Sequence, residues 1–212
     1  MLSTEADALA WARAGAPGGA IVVAEYQASP RGRAGLEWFP APGASLAFSL
    51  VVRPTLPAHR DGWIYVAASC GLADALGNSA TLEWPDEVWV GDARAGALGA
   101  FVQVGAEHVD WAVVNVLVES APPPRAPLLA RAVTAIESRL GAPTVPVLAD
   151  YLRRCSTIGA RVRARMIPLG PGGLVLEGRA SSVLQDGALV LETEDGRRLA
   201  VRPGSLGLLD RV

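Results

Sequence analysis

The pattern of the chain changes at Ile158. Upstream of it, apolar runs of strand length alternate with stretches of helical spacing. Ala20–Tyr26 is β-branched, and Ser45–Arg53 is a buried strand stopped by Pro54 and Pro57. Gly62–Leu76 places Trp63, Val66, Cys70 and Ala73 at helical spacing. Val88–Val90, Leu98–Val104 and Trp111–Glu119 read as strands, and Pro127–Leu140 and Val145–Cys155 as helices. Ser3-Thr4-Glu5 reads as a helix cap ahead of Ala6–Ala14. Downstream come only short strands: Arg161–Met166, Gly173–Ser181, Ala188–Glu192 and Arg197–Val201. Gly170-Pro171-Gly172, Asp186-Gly187, Asp195-Gly196 and Pro203-Gly204 separate them as turns. The division predicts an α+β unit over residues 1–156 and a small β-barrel of four or five strands over 158–212.

Composition narrows the chemistry. All 19 basic residues are arginine, so Schiff-base chemistry and a lysine general base are excluded. A formal net charge of −2 gives no basic excess for general nucleic-acid binding. No apolar run approaches a membrane span, and no basic region followed by an apolar segment opens the chain. The expectation is therefore a cytoplasmic protein without nucleic-acid or membrane partners. Cys70 and Cys155 lack metal-ligand spacing, and Cys70 reads as helix core. His59 and His108 are isolated from carboxylate or thiol partners.

Two segments carry chemistry. The loop Gln27–Trp38, QASPRGRAGLEW, sets Arg31 and Arg33 around Gly32, with Gly35 close behind; it belongs to a Gly/Pro/Arg-rich stretch, Ser29–Pro42. Guanidinium forks match carboxylates and phosphates, and glycine lets backbone N–H groups approach an anion. The turn Leu82–Val90, LEWPDEVWV, gathers Glu83, Asp86 and Glu87 beside Trp84-Pro85. Such a cluster reads either as a solvated acidic turn or as a divalent-cation site facing a nucleotide.

Together these segments resemble the biotin–protein ligases of the short kind, which have no DNA-binding domain in front, and the likeness runs nearly end to end. Ser3-Thr4 ahead of a helix resembles that family's Ser-Thr-Asn opening. AEYQ followed by PRGRAGLEW resembles its Gln and Gly-Arg-Gly-Arg loop, which folds over biotin and biotinyl-adenylate. LEWPDEV resembles its Leu-Lys-Trp-Pro-Asn-Asp motif, GALGAFV at Gly96–Val102 its following strand, and YLRRCSTIGARVRA its link into a C-terminal barrel. The resemblance implies a mixed sheet flanked by helices, as in class II synthetases and biotin–lipoate ligases, plus an SH3-like barrel. It implies ATP, biotin and Mg²⁺ as ligands, a biotin carboxyl carrier-type domain as partner, and a homodimer through the sheet edge. In this reading Arg33, Glu83 and Asp86 are the catalytic set, and Glu83 and Asp86 hold Mg²⁺. Ser3, Thr4, Gln27, Arg31, Gly32, Arg33, Trp38, Trp84 and Gly99 bind biotin or its adenylate.

The departures from the family pattern bear on activity. Glu83 and Gly96 stand where the family has lysines, Glu5 and Asp86 where it has asparagines, Pro30 where it has the first loop glycine, and Leu36 where it has an arginine. The later Gly-Ile-Asn-Val pattern is lost in VVNVLVE, with Leu117 near the position of its asparagine. One unit-charge pair at about 4 Å and an effective dielectric of about 20 is worth about 4 kcal/mol, so inverting the charge at Glu83 shifts that interaction by up to roughly 8 kcal/mol. Two readings stay open: a divergent ligase that transfers biotin or a related acyl group through an acyl-adenylate, and a non-catalytic relative that binds a small carboxylate or a carrier protein.

Overall fold

The computed structural model describes residues 1–39 and 43–212; the last three residues of the stretch Ser29–Pro42 lie outside that description. The first half is a six-stranded sheet in the order β1-β2-β6-β5-β4-β3. Its strands are β1 (Ile21–Ala24), β2 (Leu46–Val52), β3 (Ala80–Glu83), β4 (Glu87–Val90), β5 (Ala93–Val104) and β6 (Val109–Val118). Every ladder in it is antiparallel, which corrects the expected mixed sheet. The parallel pairing among the described residues is an isolated bridge from Leu82 to Cys155.

β2 reads as an unbroken apolar run because both of its faces are covered. Helix α1 (Thr4–Arg13) lies on one face. Ser3 caps it, its Oγ accepting from the Ala6 N–H at 3.2 Å, and Glu5 and Asp7 favour the positive end of the helix dipole. Ala8 and Ala12, one turn apart, let α1 sit close to Val22, Val51, Trp111 and Val113. On the other face, helix α2 (Trp63–Leu76) packs on β3, β4 and β5 and is backed by α3 (Ala126–Gly141) and α4 (Thr144–Arg154), and α3 reaches β2. Gly71 is required at the crossing of α2 with α3: a Cβ there would stand 2.5 Å from the Ile136 backbone. Cys70 is buried in α2, as its spacing predicts.

The C-terminal sheet is antiparallel, in the order β10-β9-β8-β7-β11. It comprises β7 (Arg161–Met166), β8 (Val175–Val183), β9 (Leu189–Glu192), β10 (Arg198–Val201) and β11 (Leu206–Arg211). β10 and β11 are its edges and do not pair with each other, so the expected barrel is not closed. The sheet packs back on the first half through one apolar core that includes Leu82, Trp84, Val162, Leu189 and Leu206. No helix among the described residues is long and apolar enough to cross a membrane.

Candidate functional site

On the α1 side of the first sheet, neighbouring strands place Ser49, Asn115 and Gly99 in one row. A buried polar chain crosses this row. Gln27 Oε1 accepts from the Thr4 backbone N–H at 2.7 Å and from Thr4 Oγ1 at 3.0 Å. Ser49 Oγ lies 2.8 Å from Thr4 Oγ1 and 2.8 Å from Asn115 Oδ1. A hydroxyl carries one proton, so Ser49 donates to one of these neighbours at a time. Asn115 is buried with Nδ2 unpartnered. The chain therefore runs from Gln27, whose Oε1 is taken up by Thr4, to Asn115, whose Nδ2 has no partner. Burial raises the Glu5 carboxyl above its ordinary range, against the nearby Asn115 amide and Arg31, which favour its charge.

Gln27 opens onto a cavity of about 420 Å³, lined also by Ala24, Tyr26, Ser29, Trp38 and Ala47. A smaller cavity of about 210 Å³ lies between Arg33, Trp84, Asp86, Arg94 and Leu208. Glu37 and Trp38 line both. Between them the loop rests on the sheet. A Cβ at Gly99 would stand 2.8 Å from Gly32 C and 2.9 Å from Arg33 N, and one at Gly32 would stand 2.2 Å from the Trp38 indole nitrogen. Both glycines are needed for this contact. The turn Arg33–Gly35 is held by Gly32 N–H to Leu36 O at 2.8 Å, and Ala34 adopts a left-handed φ of 56°.

Around the smaller cavity the polar groups are taken up by protein. Arg33 Nε donates to Asp86 Oδ2 at 3.0 Å, and its other nitrogens donate to the Leu206 and Gly207 carbonyls of β11. Burial pushes the Asp86 carboxyl up to about 6 against the pull of Arg33. Trp84 is buried and its indole N–H donates to Gly187 O at 2.9 Å. Glu83 pairs with Arg211 at 3.1 Å. Arg94 pairs with Glu87 and Glu119 at 3.0 and 2.7 Å.

The sequence-predicted residues thus separate into three groups. Thr4, Gln27, Trp38 and Gly99 meet around the loop and the larger cavity. Ser3 is engaged in capping, and Arg31 within the loop, on Ser29, Gly35 and Glu37. Arg33, Trp84 and Asp86 join the loop and the turn to the C-terminal sheet. Glu83 and Asp86 are held by different arginines and do not form a shared cation site; among the described residues no three metal-binding side chains gather. Gly96 faces the core, where a Cβ would stand 3.0 Å from Leu117 O and from Leu72 Cδ2. The asparagine of the VVNVLVE run that reaches this face is Asn115, in line with Ser49 and Gly99; Leu117, sought as the equivalent position, is apolar and buried. Ser49 and Asn115 are the site residues that sequence reasoning missed. Their signal was a polar residue in the middle of each of two otherwise apolar strands.

The chain is 31% identical over 230 residues to a biotin–[acetyl-CoA-carboxylase] ligase of Mycobacterium tuberculosis, covering 96% of this chain and 85% of that one. It belongs to the biotin–protein ligase family. The fold agrees: a biotin protein ligase from Aquifex aeolicus, in complex with biotin and ATP, superposes with a TM-score of 0.74 at 18% identity, covering 100% of this chain and 96% of that one. The biotin acetyl coenzyme A carboxylase synthetase of Helicobacter pylori, with bound biotinylated ATP, gives 0.62 at 18% identity over 94% and 95% of the two chains. No family model matches the chain. Family membership places the loop Gln27–Trp38 and the turn Leu82–Val90 in a ligase frame and leaves each residue's role to the geometry above.

Proposed function

We propose that this protein joins biotin to a lysine of a biotin carboxyl carrier-type domain through a biotinyl-adenylate, using ATP. The observation that carries the reading is the buried chain Gln27–Thr4–Ser49–Asn115, which leads from the Gln27 side chain at the larger cavity to an Asn115 amide nitrogen left without a partner. Buried polar groups left unpaired cost about 1–3 kcal/mol each, so a site retains them where a ligand completes them. The fused ring of biotin carries donors and an acceptor that suit the Gln27 and Asn115 amides, and its aliphatic arm suits Ala24 and Ala47. In the complete reaction the biotin carboxylate attacks the α-phosphorus and pyrophosphate leaves; the carrier lysine then attacks the acyl carbon and AMP leaves. The contribution of this chain is positioning and charge. Arg33 and Arg94, both at the smaller cavity, supply the cationic groups beside the reacting phosphate.

The charge inversion at Glu83 favours a non-catalytic reading on sequence grounds. Its carboxylate, however, is neutralised by Arg211 at the rim, so the repulsion expected of an unpaired charge is not delivered. Pyrophosphate exchange with purified protein tests the proposal. Exchange dependent on biotin is the expected result; no exchange with biotin, lipoate or octanoate would refute it.

A further inference from the structure

Strand β5 runs on past the end of its neighbour β4. Their ladder stops where Glu87 faces Ala97, and one further bond, from Leu98 N–H to Asp86 O at 2.8 Å, carries it into the turn. Backbone groups of a strand alternate in direction, so Gly99 turns to β6, where it pairs with Asn115, and Ala100 turns back to the open edge. No strand meets Ala100 there. A side chain does. The Tyr65 hydroxyl, from the first turn of α2, accepts from Ala100 N–H at 3.1 Å and donates to Ala100 O at 3.2 Å. One oxygen thus satisfies both backbone groups that a sheet edge would leave unpaired. Tyr65 is only 5% exposed. Burial, with Asp86 nearby, raises its pKa well above the ordinary range, so the hydroxyl keeps the proton that it donates to Ala100 O.

Gly99 lies between the two ties, with Asp86 holding the residue before it and Tyr65 the residue after it. It also touches both halves of the site: its ladder partner is Asn115, and its bare Cα meets the backbone of Gly32 and Arg33. We propose that Tyr65 is a positioning residue: by standing in for the missing strand at Ala100, its hydroxyl fixes Gly99 and so holds the Asn115 side of the site in register with the Asp86 side. Tyr65 lines neither cavity and acts through backbone alone. The register matters where two reactants held from opposite sides must meet, since a misplacement of about 1 Å costs on the order of a hundredfold in rate. That consequence for rate rests on the proposed function; the tie at Ala100 does not.

Tyr65→Phe keeps the ring and its packing and removes only the hydroxyl. Two measurements on the intact protein test the role. The first is amide hydrogen exchange without ligand, read residue by residue against the core amides of Phe48 and Leu50 in β2. Exchange at Ala100 is expected to rise by about tenfold or more, and at Leu98 and Gly99 by about threefold or more, beyond any rise shared with β2. A rise confined to Ala100, or none, overturns the positioning. The second is pyrophosphate exchange. Tyr65→Phe is expected to lower kcat by about tenfold or more while the KM for biotin stays within about threefold. Val183→Ala, which removes buried volume from β8, is the control for lost stability and should leave kcat within about twofold. A kcat loss no larger than that of the control, or a raised KM with kcat unchanged, overturns the role of Tyr65 and leaves the ligase reading standing. If the natural chain exchanges no pyrophosphate, the ligase reading fails, and the hydrogen-exchange result decides the tie by itself.

Discussion

The two cavities on either side of Trp38 are built by opposite rules. Beside the larger one, the polar chain that starts at Gln27 ends at an Asn115 amide nitrogen without a partner. Around the smaller one, Arg33, Trp84, Glu83 and Arg94 all end on other protein groups. The first arrangement leaves an amide donor open. The second fastens the ligand loop and its neighbouring turn to a sheet more than a hundred residues away. The difference teaches that matching a motif's residue types does not fix what their side chains bond to: Arg33 and Trp84, expected at the ligand, both donate here to carbonyls of the C-terminal half.

Substitutions can break this contrast. Trp84→Ala removes a buried aromatic that fastens the two sheets and is expected to cost about 3–5 kcal/mol. Thermal or denaturant unfolding measures it, and an unshifted midpoint would remove Trp84 from the fastening side. Next comes pH. The Asp86 carboxyl titrates near 6 in the fold, facing Arg33 from the loop, Glu87 from β4 and Arg94 from β5. A raised carboxyl pKa means the folded state binds the proton more tightly than the unfolded chain does. Stability from this group is therefore present at low pH and lost as pH rises from about 4 to about 6, by roughly 3 kcal/mol in total. Unfolding of the natural chain and of Asp86→Asn across that range should show the natural chain losing ground steadily; parallel curves would contradict it.

On the open side the readout reverses. Gln27→Leu should weaken biotin binding by about 1–3 kcal/mol, about fivefold to more than a hundredfold, while the melting midpoint shifts far less. Calorimetry beside a thermal melt separates the two effects; a large stability loss with intact binding would place Gln27 with the fasteners. The smallest effect belongs to Glu83→Gln. It removes a half-exposed ion pair with Arg211, worth under about 1 kcal/mol. Turnover should change little, and a large gain would mean that Glu83 does act on the reacting charge.

The fold was largely legible because its signals are local. The Ser3 cap and the short, glycine-punctuated strands of the C-terminal half match observed elements. β3 and β11 were not read as strands: the first is four residues beside a proline turn, and the second ends the chain without a strong alternation. Antiparallel order is a matter of which strands meet, and spacing along the chain does not encode it. The site was legible in residue type and only partly in role. Thr4, Gln27, Trp38 and Gly99 come together as the motifs suggest. The engagement of Arg33 by β11 was invisible, since its partners are backbone carbonyls of Leu206 and Gly207, which any sequence supplies. Asn115 and Ser49 were passed over because the strands around them are apolar.

The central claim is that the open polar chain serves a working biotin ligase. It is tested most directly by incubating the purified chain with biotin, ATP and a carrier domain that presents a single acceptor lysine, and following intact mass. The protein itself has no lysine to accept the label, so transfer to the carrier stands clear of self-modification on side chains. The account predicts one biotinyl group on the carrier lysine, dependent on ATP and lost in Gln27→Leu at limiting biotin. An unmodified carrier, with biotin bound or not, would contradict it.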